Sequence, residues 1–272
     1  MSLYFRFFLQ PRSARSVIKM ILGIMSDIHV HLREQATEVA KLLDSINTGP
    51  APDLLLLAGD ISHHTYEIDQ FLQEFKIDCP KCWVPGNHDI WVIDKESPDD
   101  TPAYRYKVMF PRISRKAGWH YLPESPLFLS NYGIAIIGTM GWFTGQGYSE
   151  WFDSDSSDFD EMLAKTFAQE LEQSIQQIPQ NVPVVVVTHH LSHREIPSYN
   201  ANRGYIFNLY LEEFLERHKK RILLVVHGHC HERYGPITVS GFNFVSHPFG
   251  YPHQHDIVSD GYRTVEVPVK LK

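Results

Sequence analysis

Asp27, His29 and His31 stand at alternate positions directly after the apolar run Met20–Met25. On an unbroken strand, alternate side chains share a face, so one carboxylate and two imidazoles could converge on a single cation. The same kind of residue follows other apolar runs. Gly59-Asp60 closes a second, Gly86-Asn87-His88-Asp89 a third, His189-His190 another, and Gly228-His229-Cys230-His231 the last. Taken singly, each has an ordinary reading: Gly-Asp as a turn, Asp-x-His as a cap, Gly-Asn-His-Asp as a tight turn, His-x-His as a surface or core pair. Ligands of open α/β sheets bind beyond the carboxyl ends of the strands. Five such ends in order, each bearing metal-competent side chains, therefore point to one shared metal site.

The elements that must position these residues are legible as short, β-branched apolar runs alternating with amphipathic stretches, the pattern of α/β layers. Strands are expected at Met20–Met25, Asp53–Ala58, Cys82–Pro85, Ile134–Ile137, Val182–Thr188 and Ile222–Val226. Ile237–Val245 and Tyr262–Val269 alternate more and read as antiparallel strands at the end of a mixed sheet. Helices are expected over Leu32–Ile46, Tyr66–Phe75 and Phe159–Ile178. A further one starts after Asn208 as N-cap and puts Leu211, Phe214, Leu215 and His218 on one face. Lys219-Lys220-Arg221 suits that helix's C-terminus rather than a binding patch. The acid-rich Asp153–Glu161 reads as a solvated loop running into a helix rather than a calcium site.

Composition bounds the class. At 272 residues, 43% hydrophobic and 21% charged, the chain can bury a large core and has no signature of disorder. One domain over residues 20–272 is expected, behind a basic extension of residues 1–19 that resembles a transit segment in composition but reads as an upstream start without structural role. A net charge of −7 supplies no basic field, which disfavours nucleic acid and anionic membrane as partners. No run is long enough to span a bilayer. Three cysteines form no disulfide framework, so Cys79 and Cys82 are expected as free thiols and the compartment as cytoplasmic.

The ordered motifs resemble the calcineurin-like metallophosphoesterases, whose pattern D-x-H, G-D, G-N-H-D/E, H, G-H-x-H is met from Asp27 to His231. A barrel amidohydrolase, the other chemistry that opens on His-x-His, leaves Gly59-Asp60 and Gly86-Asn87-His88-Asp89 unexplained and needs a longer barrel. The resemblance implies an α/β fold, a four-layer α/β/β/α sandwich of two mixed sheets flanked by helices. It implies that Asp27, His29 and His231 bind one metal ion, that Asn87, His189 and His229 bind another, and that Asp60 bridges them. Oxygen and imidazole donors without thiolate suit two divalent or trivalent ions, manganese, iron or zinc. Such a pair, ~3.5–4 Å apart, clamps a phosphoryl group and supplies a water of pKa near 7 as nucleophile. The resemblance places His88 beside the leaving oxygen, where it can stabilise developing charge or donate a proton, with Asp89 expected to orient it. Gly59, Gly86 and Gly228 are expected where backbone passes close to the ions.

His31 is left over: it forms a hydrogen bond behind a ligand, faces the substrate, or starts a helix without further role. The same alternatives cover His63, His64, His190 and His227. The resemblance spans phosphatases and phosphodiesterases and does not name a substrate; a small phosphomonoester or phosphodiester is preferred on the acidic balance. Selectivity is expected from Gly141–Phe152 and Leu191–Tyr205, whose aromatics could stack a base and whose Arg194 or Arg203 could hold a phosphate. Leu191 stands where the commonest form of the motif often has Pro. Ser246–Pro252 resembles a closing segment of some bacterial members, with His247 behind the ligands. Two other functions compete: a nuclease, disfavoured by the charge, and a silent scaffold of the same fold, against which the intact motifs speak.

Overall fold

The computed structural model describes residues 17–95, 97–144, 157–196, 198, 207–252, 254 and 262–270. In chain order its elements are β1 (Val17–Met25), α1 (Ala36–Thr48), β2 (Leu54–Ala58), α2 (Thr65–Gln73), β3 (Lys81–Val84), α3 (Asn87–Ile90), α4 (Pro102–Tyr104), α5 (Phe110–Ala117), β4 (His120–Tyr121), β5 (Leu127–Leu129), β6 (Ile134–Thr139), α6 (Ser157–Gln176), β7 (Val184–Thr188), α7 (Leu209–His218), β8 (Ile222–His227), β9 (Tyr234–Val239), β10 (Phe242–Ser246) and β11 (Arg263–Lys270). A π-helical turn, Arg105–Met109, joins α4 to α5.

Strand alternation explains the layers. On β1, Met20, Leu22 and Ile24 meet Leu54, Leu56 and Ala58 of β2 and, from the opposite sheet, Val185 and Val187 of β7 and Val226 of β8. The intervening residues face outward: Leu55, Leu57 and Trp83 pack on α1, α2 and α5, while Val184, Val186 and Val225 pack on α6 and α7. Both faces of each central strand are thus apolar, which is why β2 and β7 read as unbroken hydrophobic runs. The sheets have the orders β11-β1-β2-β3-β4 and β5-β6-β7-β8-β10-β9. Each is mixed: β11, β5 and β9 run antiparallel to their neighbours β1, β6 and β10, beside parallel cores. This is the expected four-layer α/β/β/α sandwich.

Several boundaries differ from expectation. β1 begins at Val17, before Met20, because Val17–Lys19 continue its ladder with β11. The strand expected over Ile237–Val245 is two, β9 and β10, since Ser240 and Gly241 both take positive φ and turn the chain into a hairpin. The Asn208 side chain caps α7 by accepting from the amides of Tyr210 and Leu211 at 2.9 and 3.0 Å. Lys219 and Arg221 do terminate that region, donating to the carbonyls of Ser240 and of Val182 and Pro179. The three cysteines are free thiols, and no described helix is long and apolar enough to cross a membrane.

Candidate metal centre

The motif loops of both sheets meet in one place. Asp27, His29 and His231 bring their potential ligand atoms within 4.8 Å of one another, as do Asp60, His189 and His229. Asn87 joins the second group, its Oδ1 standing 3.1 Å from His189 Nε2 and 3.0 Å from His229 Nδ1. The chain does not run on as a strand through Asp27–His31; Asp27 and His29 each take left-handed φ. Of the six non-glycine residues with positive φ among the described residues, five are Asp27, His29, Asp60, His229 and His231. Such backbone is uncommon outside glycine, although Asp and His adopt it more readily than most residues, and five instances gathered in one place mark loops shaped by the site.

Neighbouring groups fix which nitrogen each imidazole presents. His189 Nδ1 donates to the Ala58 carbonyl at 2.8 Å, so its Nε2 is the free edge, facing the Asp60 Oδ2 at 3.2 Å as well as Asn87. An edge bordered by two acceptor oxygens requires a positive group, either a proton or a cation. Burial would lower His189, but the charge and hydrogen bond of Asp60 outweigh it and push the imidazole up to about 9. Similarly, His231 Nδ1 donates to Gln254 Oε1 at 2.6 Å, and its Nε2 faces His29 Nε2 at 3.1 Å and Asp27 Oδ1 at 3.4 Å. Burial opposes ionisation of Asp27, yet the His231 hydrogen bond and charge hold its carboxyl well below the usual range. Carboxylates kept ionised, imidazoles with preset tautomers and an amide oxygen form a donor set that fits hard or borderline cations. Asp60, nearly fully buried, belongs to the second group and also acts by its charge on His29 of the first.

His88 enters from the start of α3. Its amide donates to Asp60 Oδ1 at 2.9 Å, and its Nε2 lies 3.9 Å from Asp60 Oδ2. Its other nitrogen meets His63, not Asp89. The Asp89 carboxylate, expected to orient His88, is engaged by backbone: Oδ1 accepts from the amides of Ile61 and Ser62, and Oδ2 from those of Asp60 and Gly86, at 2.7 to 2.9 Å. Asp89 shapes the loop that carries Asp60. Burial and the nearby Asp60 charge push its carboxyl up to about 7.

The glycines act as expected at close approaches: a β-carbon on Gly228 would stand 2.6 Å from Asp27 Oδ2. The Ser246–Pro252 segment clips the first loop, Phe249 and Gly250 donating to the carbonyls of Ser26 and Asp27 at 2.8 and 2.9 Å. It thereby places Tyr251 against His29, with ring centroids 4.7 Å apart. Tyr251 and Gln254 were not singled out by sequence reasoning, and only their place in or beside that segment signals them.

His31 and His63 are brought to the site, stacked on each other at 4.0 Å. His190 is buried against His229 at 4.2 Å, and its Nε2 has no hydrogen-bond partner among the described residues. His227 lies below, hydrogen-bonded to the Tyr234 hydroxyl, and the His247 carbonyl accepts from the Ser26 amide. His64 instead stacks on Tyr66. Trp142 and Phe143 belong to the core, Trp142 Nε1 donating to Asp160. Arg194 pairs with Glu212 at 2.8 Å. Arg203, Tyr148, Trp151 and Phe152 lie outside the described residues.

A family model described as calcineurin-like phosphoesterase matches residues 20–233. No curated protein sequence matches the chain. Among solved structures, a phosphopantetheinyl hydrolase from Mycobacterium tuberculosis aligns at 18% identity over 90% of this chain and 95% of its own, with a TM-score of 0.71. A putative 5'-nucleotidase from Staphylococcus aureus aligns at 12% identity over 84% of this chain and 48% of its own, with a TM-score of 0.50. At these identities the likeness is one of fold.

Proposed function

This chain belongs to the calcineurin-like phosphoesterase family, and we propose that it hydrolyses a small phosphomonoester or phosphodiester in the cytoplasm with a pair of metal ions and with His88 assisting the leaving oxygen. The observation that carries the reading is the convergence of Asp27, His29 and His231 beside Asp60, Asn87, His189 and His229 in loops of left-handed backbone. Two ions of manganese, iron or zinc would supply Lewis acidity toward phosphoryl oxygens and an activated water at this site. Asp27, His29 and His231 would hold one and Asn87, His189 and His229 the other, with Asp60 as a ligand to both.

The remaining steps belong to the chain. His189 and His231 keep their outer nitrogens on Ala58 and Gln254, so the inner ones point at the centre without rearrangement. His88 presents Nε2 on the same side as Asp60, where a proton can pass to the departing oxygen. Asp89 keeps the Asp60 loop closed on it. Free thiols throughout support the cytoplasmic placement.

The test is turnover of bis(p-nitrophenyl) phosphate, p-nitrophenyl phosphate and a phosphopantetheinyl compound by protein reconstituted with Mn²⁺, with Asp60→Asn and chelated protein as controls. Turnover lost in both controls is the expected result. Absence of any turnover with both metals bound would favour the scaffold reading instead.

A further inference from the structure

We propose that the cavity between α4, the π-helical turn and α6 is a binding site for an uncharged, hydrocarbon-like ligand. The cavity measures about 310 Å³ and is lined by Pro102 and Ala103 of α4, by Leu163 and Phe167 of α6, and by the buried Ile90 and Met140. Protein interiors hold few voids larger than a water molecule, so a space of this size is not ordinary packing. Ala103, Lys107 and Thr166 on its border are exposed, which gives a ligand a way in from solvent. The floor lies behind the loops of the metal centre. The Met140 carbonyl accepts from the amides of His189 and His190 at 3.0 and 3.2 Å, and Ile90 ends the helix α3 that begins at Asn87. Neither metal nor phosphoester takes part in the binding itself.

The polar side chains of the lining decide the chemistry of the ligand, because each of them is already engaged within the chain. Tyr106 Oη donates to Glu170 Oε2 at 2.6 Å, and Lys107 Nζ donates to Glu170 Oε1 at 2.9 Å. Thr101 Oγ1 accepts from the Tyr104 amide at 3.1 Å, and Thr166 Oγ1 donates to the Met162 carbonyl at 2.8 Å. A ligand group that needs a hydrogen bond would lose water here and gain no partner, whereas apolar surface gains by leaving water. The pairing of Lys107 with Glu170 also leaves no net charge at this edge to draw an ion. Size narrows the class further. An apolar cavity of about 150 Å³ takes up benzene, so this larger one suits a ligand of roughly ten non-hydrogen atoms.

The experiment offers naphthalene to the full chain loaded with Zn²⁺ and follows it by saturation-transfer NMR and by the unfolding midpoint. The expected result is magnetisation transfer to the naphthalene protons and a Tm raised by roughly 2–4 °C at about ten times its Kd. Neither effect is expected with 2-naphthoate, the same ring system carrying a carboxylate. Ala103→Phe puts a ring into the opening from an exposed position and is expected to weaken naphthalene binding roughly tenfold or more. Thr166→Phe closes the same opening from α6 and decides the matter where the first variant disturbs α4. No transfer to naphthalene, an equal response to 2-naphthoate, or undiminished binding in a folded variant would overturn the proposal. So would a dimer of the native chain that Ala103→Phe dissociates, since the cavity would then belong to a second copy. Because none of these readouts uses turnover, failure of the phosphoesterase reading would leave them intact.

Discussion

Gly86 lies so close to Asp60 that a β-carbon on it would stand 2.1 Å from the Asp60 Oδ1. That oxygen is already engaged by the His88 amide, so it has no easy direction in which to yield. Gly86→Ala is expected to displace the Asp60 carboxylate, destabilise the fold by about 1–3 kcal/mol as overpacking does, and reduce bound metal. Metal content per chain, measured by elemental analysis, is the check; a full complement at native turnover would contradict it.

The position of Asp89 separates two kinds of loss. In Asp89→Asn one oxygen becomes an NH₂ group facing two backbone N–H donors, whichever way the amide is turned. Denaturant unfolding is expected to show a loss of about 2–4 kcal/mol, with turnover falling on good and poor leaving groups alike. His88→Ala should instead keep both metals and lose most on poor leaving groups. Identical leaving-group profiles in the two variants would refute the distinction.

Gln254 sits far from the ordered motifs yet accepts from His231 Nδ1 and from the Tyr251 amide. Gln254→Leu removes the partner that sets the His231 tautomer. Metal affinity, titrated with a competing chelator, is expected to fall roughly 10- to 100-fold, with little change in the unfolding midpoint of the metal-free protein.

Burial lowers His227 to about 4 in the folded chain, against about 6.5 when unfolded. The unfolded state therefore takes up the proton first. The stability this neutral histidine contributes is fully present above pH 6.5 and is lost as pH falls toward 4. Between pH 7 and pH 5 the loss is about 2 kcal/mol. His227→Gln should flatten the fall of Tm over that interval, and an unchanged slope would rule this origin out.

The central strands and the ligand types were legible because burial on both faces leaves unbroken apolar runs, and because the turn at each strand end accepts only small or polar residues. Asp27 and His29 are visible as a pair for that reason, although simple alternation along a strand would misplace them: the chain leaves the strand at Ser26 and both take left-handed φ. What stayed hidden depends on contacts between distant segments. Nothing near Asp89 in sequence says that its partners are amides of the loop after β2. Nothing near His63 says that it meets His88 rather than Asp60. The short β4 and β5 lack the length to show a period, and Arg105 reads as an ordinary surface cation until Asp100 and three carbonyls surround it.

The left-handed backbone at Asp27, His29, Asp60, His229 and His231 also bears on how this chain could change over time. Each such residue costs roughly 1–3 kcal/mol relative to ordinary backbone, a burden that glycine escapes and asparagine lightens. Selection for folding alone would erode these positions toward glycine or asparagine, and each step would leave a sturdier protein with a poorer centre. A descendant freed from its chemistry is thus expected to lose its ligands in this order of relief rather than at random, and to melt higher than the parent stripped of metal.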